Sequence, residues 1–79
     1  MSEAKKDTQR ALAAAKAIFD GRDPEKDFSS VLVTTEHVIA TVLLAVYRQD
    51  PAKAAAMLNE GLLPGIETRL SMFAAKRSA

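Results

Sequence analysis

The sequence predicts an all-α fold, arranged as a compact four-helix bundle with a longer loop between helices 1 and 2. Apolar residues recur at three- and four-residue spacing along alanine-rich segments, and Asp-Pro pairs stand at predicted helix starts. Residues 38–47 form a run with a single polar side chain, Thr41. A helix that is apolar on nearly all sides must be surrounded by other helices, so we expect this run to be a buried hub.

The N-terminal third predicts one helix followed by a polar connection. Residues 2–19 place an apolar stripe on one helical face, and Gly21 is suited to end the helix in a left-handed cap. Residues 20–30 are polar, which favours a loop. The short apolar segment 31–33 has no visible strand partner, so we interpret it as extended chain that packs on the bundle.

Three further helices are predicted in the remaining sequence. The hub helix covers about residues 36–48, with Thr34 or Thr35 as its cap and Glu36 near the positive end of its dipole. Pro51 opens a third helix that Gly61 ends, and Pro64 opens a fourth. The predicted core consists of Leu12, Ile18, Phe19, Val38, Ile39, Val42, Leu43, Val46, Leu58, Ile66, Leu70 and Phe73.

Length, composition and net charge limit the classes of protein to which the chain can belong. The chain has 79 residues, which predicts one domain, with an ordered core over about residues 7–76. It has no cysteine and therefore no disulfide, and a net charge of +1 gives no strong field toward nucleic acid. The N-terminus lacks a signal-peptide core, and the run 38–47 is shorter than the roughly 20 residues that span a bilayer. We therefore expect a cytoplasmic protein that does not bind membranes.

No residue pattern predicts catalysis, a metal or a cofactor. The acidic loop holds Asp20, Asp23 and Asp27 but lacks the calcium-loop pattern, which favours a solvated loop. Glu36 and His37 are adjacent, and neighbouring helical residues diverge by about 100°, so they do not form a ready acid–base pair. An enzyme built around these two residues needs a nucleophile and a pocket. The sequence predicts a protein that is not an enzyme.

The order of motifs resembles one repeat of the Clp N-terminal domain, the helical module at the head of Clp unfoldases. The matching segments are Thr8-Gln9-Arg10-Ala11, Thr35-Glu36-His37-Val38-Ile39, Val42-Leu43-Leu44, Ala54-Ala55-Ala56-Met57-Leu58 and Gly61-Leu62. That family binds adaptor proteins and degradation substrates, and the resemblance implies that Thr8 and Glu36 help to bind guanidinium-bearing tags. The chain departs from the family in having one repeat instead of two, a longer loop and Thr34 in place of glycine.

The predicted function is a small interaction module that self-associates, with a homodimer as one form, and docks a protein or peptide partner. The candidate partner-binding residues are Thr8, Glu36, Met57, Leu62 and Leu63, the last three from an apolar surplus. The alternative is a small nucleic-acid-associated regulator that uses a weak basic face, made of Lys5, Lys6, Arg10 and Lys16.

Overall fold

The computed structural model describes residues 2–78, and it confirms the all-α class. Helix covers three continuous stretches, and the residues so described include no strand. The helices are α1 (Glu3–Phe19), α2 (Phe28–Val46), α3 (Pro51–Met57) and α4 (Leu63–Ser78). A π-helical turn (Leu58–Leu62) joins α3 to α4 without a break.

Helix α1 begins and ends close to the predicted positions. The Ser2 hydroxyl accepts a hydrogen bond from the Lys5 backbone N–H at 3.3 Å, which makes Ser2 the N-cap. At the other end, Asp20 has a left-handed backbone with φ of 47° and donates its N–H to the Lys16 carbonyl at 3.0 Å. Gly21 follows with φ of 76°. The chain therefore leaves α1 over two left-handed residues instead of one.

The connection between α1 and α2 is ordered by its own carboxylates. Asp23 Oδ1 accepts hydrogen bonds from the backbone N–H groups of Glu25 and Lys26 at 2.8 and 3.1 Å. Asp27 Oδ2 accepts one from the Asp23 N–H at 3.1 Å. Such bonds imitate backbone turns. The connection covers residues 20–27 and is shorter than the sequence predicts.

Helix α2 begins at Phe28, so the predicted start at Glu36 is wrong. The segment 31–33, predicted as extended chain, is helical as well. The reason lies in the two threonines that suggested a cap. The hydroxyls of Thr34 and Thr35 each donate to the carbonyl four residues earlier, at 3.2 and 2.9 Å. Because bonds of this kind satisfy a hydroxyl inside a helix, the two threonines do not start a new one.

The predicted start of α3 is confirmed. Asp50 Oδ1 accepts hydrogen bonds from the backbone N–H groups two and three residues later, at 3.0 and 3.2 Å. Pro51 occupies the first helical position, where a missing N–H costs nothing. The preceding turn contains Arg48 and Gln49 with φ of 52° and 65°. These two left-handed residues separate α2 from α3.

The predicted third and fourth helices form one continuous stretch. The sequence predicts an end at Gly61 and a new start at Pro64, but the chain is helical at both positions. The Leu63 N–H bonds the Leu58 carbonyl five residues back, which is π-helical spacing. This wider turn places one extra residue ahead of Pro64, so the proline does not break the helix. The compact four-helix bundle is therefore not confirmed.

The contacts divide the chain within α2, after Val38, into an N-terminal and a C-terminal unit. In the N-terminal unit, α1 and the first part of α2 enclose a shallow depression lined by Ala14, Ala17, Ile18, Thr34 and Val38. In the C-terminal unit, Leu43 and Ala54 are buried. The single domain predicted from the length stays a prediction.

Helix α2 is not the shielded hub that the sequence predicts. Only 11% of an 18-residue stretch of it is buried. Leu43 is buried as predicted, whereas Val42 and Val46 are exposed. Exposure also extends to core candidates on the other helices, namely Leu12, Phe19, Ile66, Leu70 and Phe73. The predicted burial of these residues is wrong for a single chain, since its helices leave their apolar faces open.

One described helix, α2, is long and apolar enough by length and composition to cross a bilayer. The apolar run 38–47, which is too short to span a bilayer, is only the C-terminal half of this helix. Because α2 begins at Phe28, the helix has 19 residues and is about 28 Å long, close to the thickness of a bilayer core. Core helices of water-soluble proteins meet the same criterion.

Candidate interaction surface

The feature that dominates the molecule is exposed apolar surface. Among the described residues, three hydrophobic side chains are buried: Val31, Leu43 and Ala54. Thirteen large hydrophobic side chains are exposed: Leu12, Phe19, Phe28, Leu32, Val33, Val42, Val46, Met57, Leu63, Ile66, Leu70, Met72 and Phe73. Large exposed apolar patches mark interaction sites in proteins. The candidate site is therefore an exposed apolar surface.

The most regular part of this surface lies on α4. Leu63, Ile66, Leu70 and Phe73 follow one another at intervals of three, four and three residues, and all four are exposed. This spacing places the four side chains on one face of the helix, as in the seam of a coiled coil. We call these four residues the α4 seam.

Charged residues of opposite sign border the α4 seam. Glu67 follows Ile66 directly and lies on one flank of the seam. Arg69 directly precedes Leu70 and lies on the other flank. Lys76, one turn beyond Phe73, lies on the same flank as Arg69. On the basic flank, Arg69, Met72, Phe73 and Lys76 line a depression of about 120 Å³. The seam thus has an acidic edge and a basic edge.

The predicted residues Met57, Leu62 and Leu63 lie at the junction of α3, the π-helical turn and α4. Leu63 is exposed and is the first member of the α4 seam. Met57 is more than one-third exposed, and its sulfur lies where a side chain on Gly61 would begin. Leu62 is half-buried in the π-helical turn. Met57, Leu62 and Leu63 thus lie close to one another along the chain, and Leu63 belongs to the α4 seam.

Thr8 and Glu36, which the resemblance implies for guanidinium binding, both lie on the exposed surface of helices. Thr8 is the sixth residue of α1 rather than its opening residue, and its hydroxyl donates to the Ala4 carbonyl at 3.0 Å. Glu36 lies in the interior of α2, exposed to solvent. A shallow depression beside Thr8 is lined by Ala4, Lys5, Thr8 and Gln9, without Glu36. Their shared role in guanidinium binding stays a prediction.

The basic face of α1 is partly neutralised by carboxylates of the same helix. Lys6 Nζ lies 3.4 Å from Glu3 Oε1. Arg10 Nη1 lies 2.7 Å from Asp7 Oδ1 and 3.7 Å from Glu3 Oε2. Two of the four basic residues that suggested nucleic-acid binding are thus engaged in ion pairs, which weakens that face as a phosphate-binding surface.

Arg22 has a structural role in the N-terminal unit. Its guanidinium donates to the carbonyls of Ile18 and Phe19 at the end of α1. The same group donates to the hydroxyls of Ser30 and Thr34 on α2. Arg22 therefore ties the two helices of the N-terminal unit together. No sequence motif marks this role, because it depends on the distance across the loop.

No protein-family model, curated protein or solved structure matches this chain. The resemblance to the Clp N-terminal domain stays a prediction.

Proposed function

We propose that this chain is a non-enzymatic protein–protein interaction module that self-associates and docks a protein or peptide. The observation that carries the proposal is the ratio of exposed to buried apolar side chains, thirteen large ones against three residues in the core. Burial of apolar surface is the main force in folding and in most association. A chain that buries so little by itself gains most by burying the remainder against another molecule.

The size of the exposed surface supports self-association. The chain exposes 6720 Å², whereas a folded monomer of its mass is expected to expose about 4,700 Å². The difference is about 2,000 Å² per chain, and obligate homodimers bury roughly 1,000–2,500 Å² per partner. A second copy offers apolar surface of the same extent, so a homodimer accounts for the excess without a further component.

We further propose that association between two copies produces a compact helical bundle. Two copies bring together twice the number of helices, and each apolar face then has a neighbour to pack against. In the Clp N-terminal domain two repeats form one body, so a dimer of single repeats would be its counterpart. The docking of other proteins would then use whatever apolar surface the dimer leaves open.

The length and composition of α2 indicate a second candidate for what covers the exposed apolar surface, namely a lipid bilayer. The helix length fits, but Glu36 lies near the midpoint of Phe28–Val46. A charged side chain at the bilayer centre costs on the order of 3 kcal/mol. We therefore favour a protein partner, for which Glu36 can remain in water.

The test of the proposal is sedimentation equilibrium of the purified chain from about one micromolar to one millimolar, with flotation on neutral phosphatidylcholine vesicles in parallel. We expect a concentration-dependent mass that reaches at least twice that of the chain, and no flotation. A chain that stays monomeric at every concentration, or one that floats with the vesicles, would overturn the proposal.

A further inference from the structure

We propose that the depression on α4 binds an acidic peptide segment in which two carboxylates flank an apolar side chain. This inference rests on the docking role in the proposed function and names the chemistry of the docked partner. The depression is lined by Arg69, Met72, Phe73 and Lys76, so both of its charged side chains are cationic. All four residues belong to one helix, and the site therefore depends only on the geometry of α4.

The four lining residues share one face of α4. Positions 69, 72, 73 and 76 recur at three- and four-residue spacing, which places them side by side on a helix. Met72 is 59% exposed and Phe73 is 66% exposed, and the two cations are exposed as well. We call Arg69 and Lys76 the basic pair. They are seven residues apart, which is about 10 Å along the helix axis, with the thioether and the aromatic ring between them.

The basic pair has no carboxylate on its own helix within pairing distance. The ion pairs that the structure shows in residues 2–78 all lie in α1. Helical residues pair at three- and four-residue spacing, and those positions around the basic pair hold Gly65, Ile66, Met72 and Phe73. Glu67 is two positions from Arg69 and does not face it. The anion that the basic pair attracts therefore does not come from α4.

The end of the helix explains one of the two cations. Lys76 lies in the last turn of α4, where a cation stabilises the negative end of the helix dipole. Arg69 lies two turns earlier, beyond the reach of that effect. A guanidinium is suited to bind a carboxylate through two parallel hydrogen bonds. Arg69 is therefore the residue that we expect to contribute most to the choice of partner.

The charge and the spacing of the depression select the partner. Two glutamates seven positions apart on a helix lie about 10 Å apart along its axis and match the basic pair. An apolar side chain between them would cover Phe73, which desolvates the ring and strengthens both charge pairs. Glu67 is the one acidic residue in the range 63–78, so α4 of a second copy cannot supply both carboxylates. We therefore place an acidic segment of another protein in the depression.

Fluorescence anisotropy with two matched peptides measures this preference. The acidic probe is a labelled alanine-based helical peptide of about 16 residues, with two glutamates seven positions apart and leucines between them on the same face. The second probe carries lysine in place of both glutamates. At about 50 mM salt we expect the full chain to bind the acidic probe at least about tenfold more tightly, and at about 0.5 M salt the difference should fall below about threefold because exposed charges are screened. Equal binding of the two probes at low salt would overturn the inference.

Charge reversal tests whether the basic pair causes the preference. Arg69→Glu combined with Lys76→Glu should make the lysine probe bind more tightly than the acidic one. Lys26→Glu combined with Lys53→Glu changes the net charge equally at exposed positions elsewhere and should keep the wild-type preference. Because glutamate in the last turn weakens a helix, Arg69→Gln gives a second measurement and should lower the preference by about threefold. An unchanged preference in the variants of the basic pair, or a lost preference in the control, would contradict the site.

Two other occupants of the depression give different results. If a second copy covers it, the Arg69→Glu, Lys76→Glu chain would show a lower mass than wild type in sedimentation equilibrium. If an anionic lipid surface covers it, the wild-type chain would float on phosphatidylcholine vesicles with about one-quarter phosphatidylserine and bind both peptides equally. Either result would overturn the acidic-peptide site. The proposed self-association is measured on the wild-type chain without a peptide, so the two proposals can fail separately.

Discussion

Leu43 is a buried large side chain in the C-terminal part of α2. It is 8% exposed, whereas its neighbour Val42 is 54% exposed. The two residues are adjacent in the sequence, but Leu43 is buried within the chain, whereas Val42 is exposed. Their comparison therefore separates the packing inside one chain from packing between chains.

We expect Leu43→Ala to lower the free energy of unfolding by about 2–5 kcal/mol, because it removes buried methyl groups and leaves a cavity. Urea denaturation at low micromolar concentration, followed by circular dichroism, measures this change. Val42→Ala is the matched control and should change stability by less than about 0.5 kcal/mol under the same conditions. An unchanged midpoint for Leu43→Ala would show that the side chain is not part of a core.

Arg22 is a second residue whose side chain is expected to stabilise the fold. Its guanidinium bridges the end of α1 to Ser30 and Thr34, so Arg22→Ala leaves several partners without a donor. The expected loss is about 1–3 kcal/mol of stability, again from urea denaturation. Lys26→Ala removes an equal charge from the same loop and should have almost no effect. Equal losses in both variants would mean that loop charge, and not the bridge, is responsible.

At the scale of elements, the continuity of α3, the π-helical turn and α4 depends on two glycines with different surroundings. A methyl group added to Gly65 meets nothing within 4 Å. A methyl group added to Gly61 meets the side chain of Met57. Both glycines lie in helix, where alanine is favoured over glycine by about 1 kcal/mol.

Gly65→Ala should therefore stabilise the chain by about 0.5–1 kcal/mol. Gly61→Ala should gain less or nothing, since Met57 has to move, and it should regain the full benefit in a Met57→Ala background. Thermal denaturation of the four chains gives the comparison. A destabilising Gly65→Ala would contradict the helical conformation of the start of α4.

The sequence predicts the helix starts better than it predicts what the helices contact. The Asp50–Pro51 start is a local signal, made by atoms within three residues, and it is confirmed. The start of α2 is predicted wrongly because the hydroxyls of Thr34 and Thr35 suit a helix interior as well as a cap. The spacing of the α4 seam indicates an apolar face, but spacing does not tell whether that face is covered by the same chain or by another one.

At the scale of the whole molecule, folding and association are expected to be coupled. The described chain buries few apolar side chains, and short domains gain little stability from one thin core. When the folded form is a dimer, mass action makes its stability depend on protein concentration. This dependence is a thermodynamic signature that can be measured without a known partner.

We therefore expect the midpoint of thermal unfolding to rise with concentration. Each tenfold increase adds about 1.4 kcal/mol per dimer, and for a dimer of this size that corresponds to roughly 3–6 °C. The midpoint can be measured by circular dichroism at about 5 µM and by calorimetry at about 500 µM, which span two tenfold steps in concentration. A midpoint independent of concentration would mean that the single chain is stable with its apolar faces open.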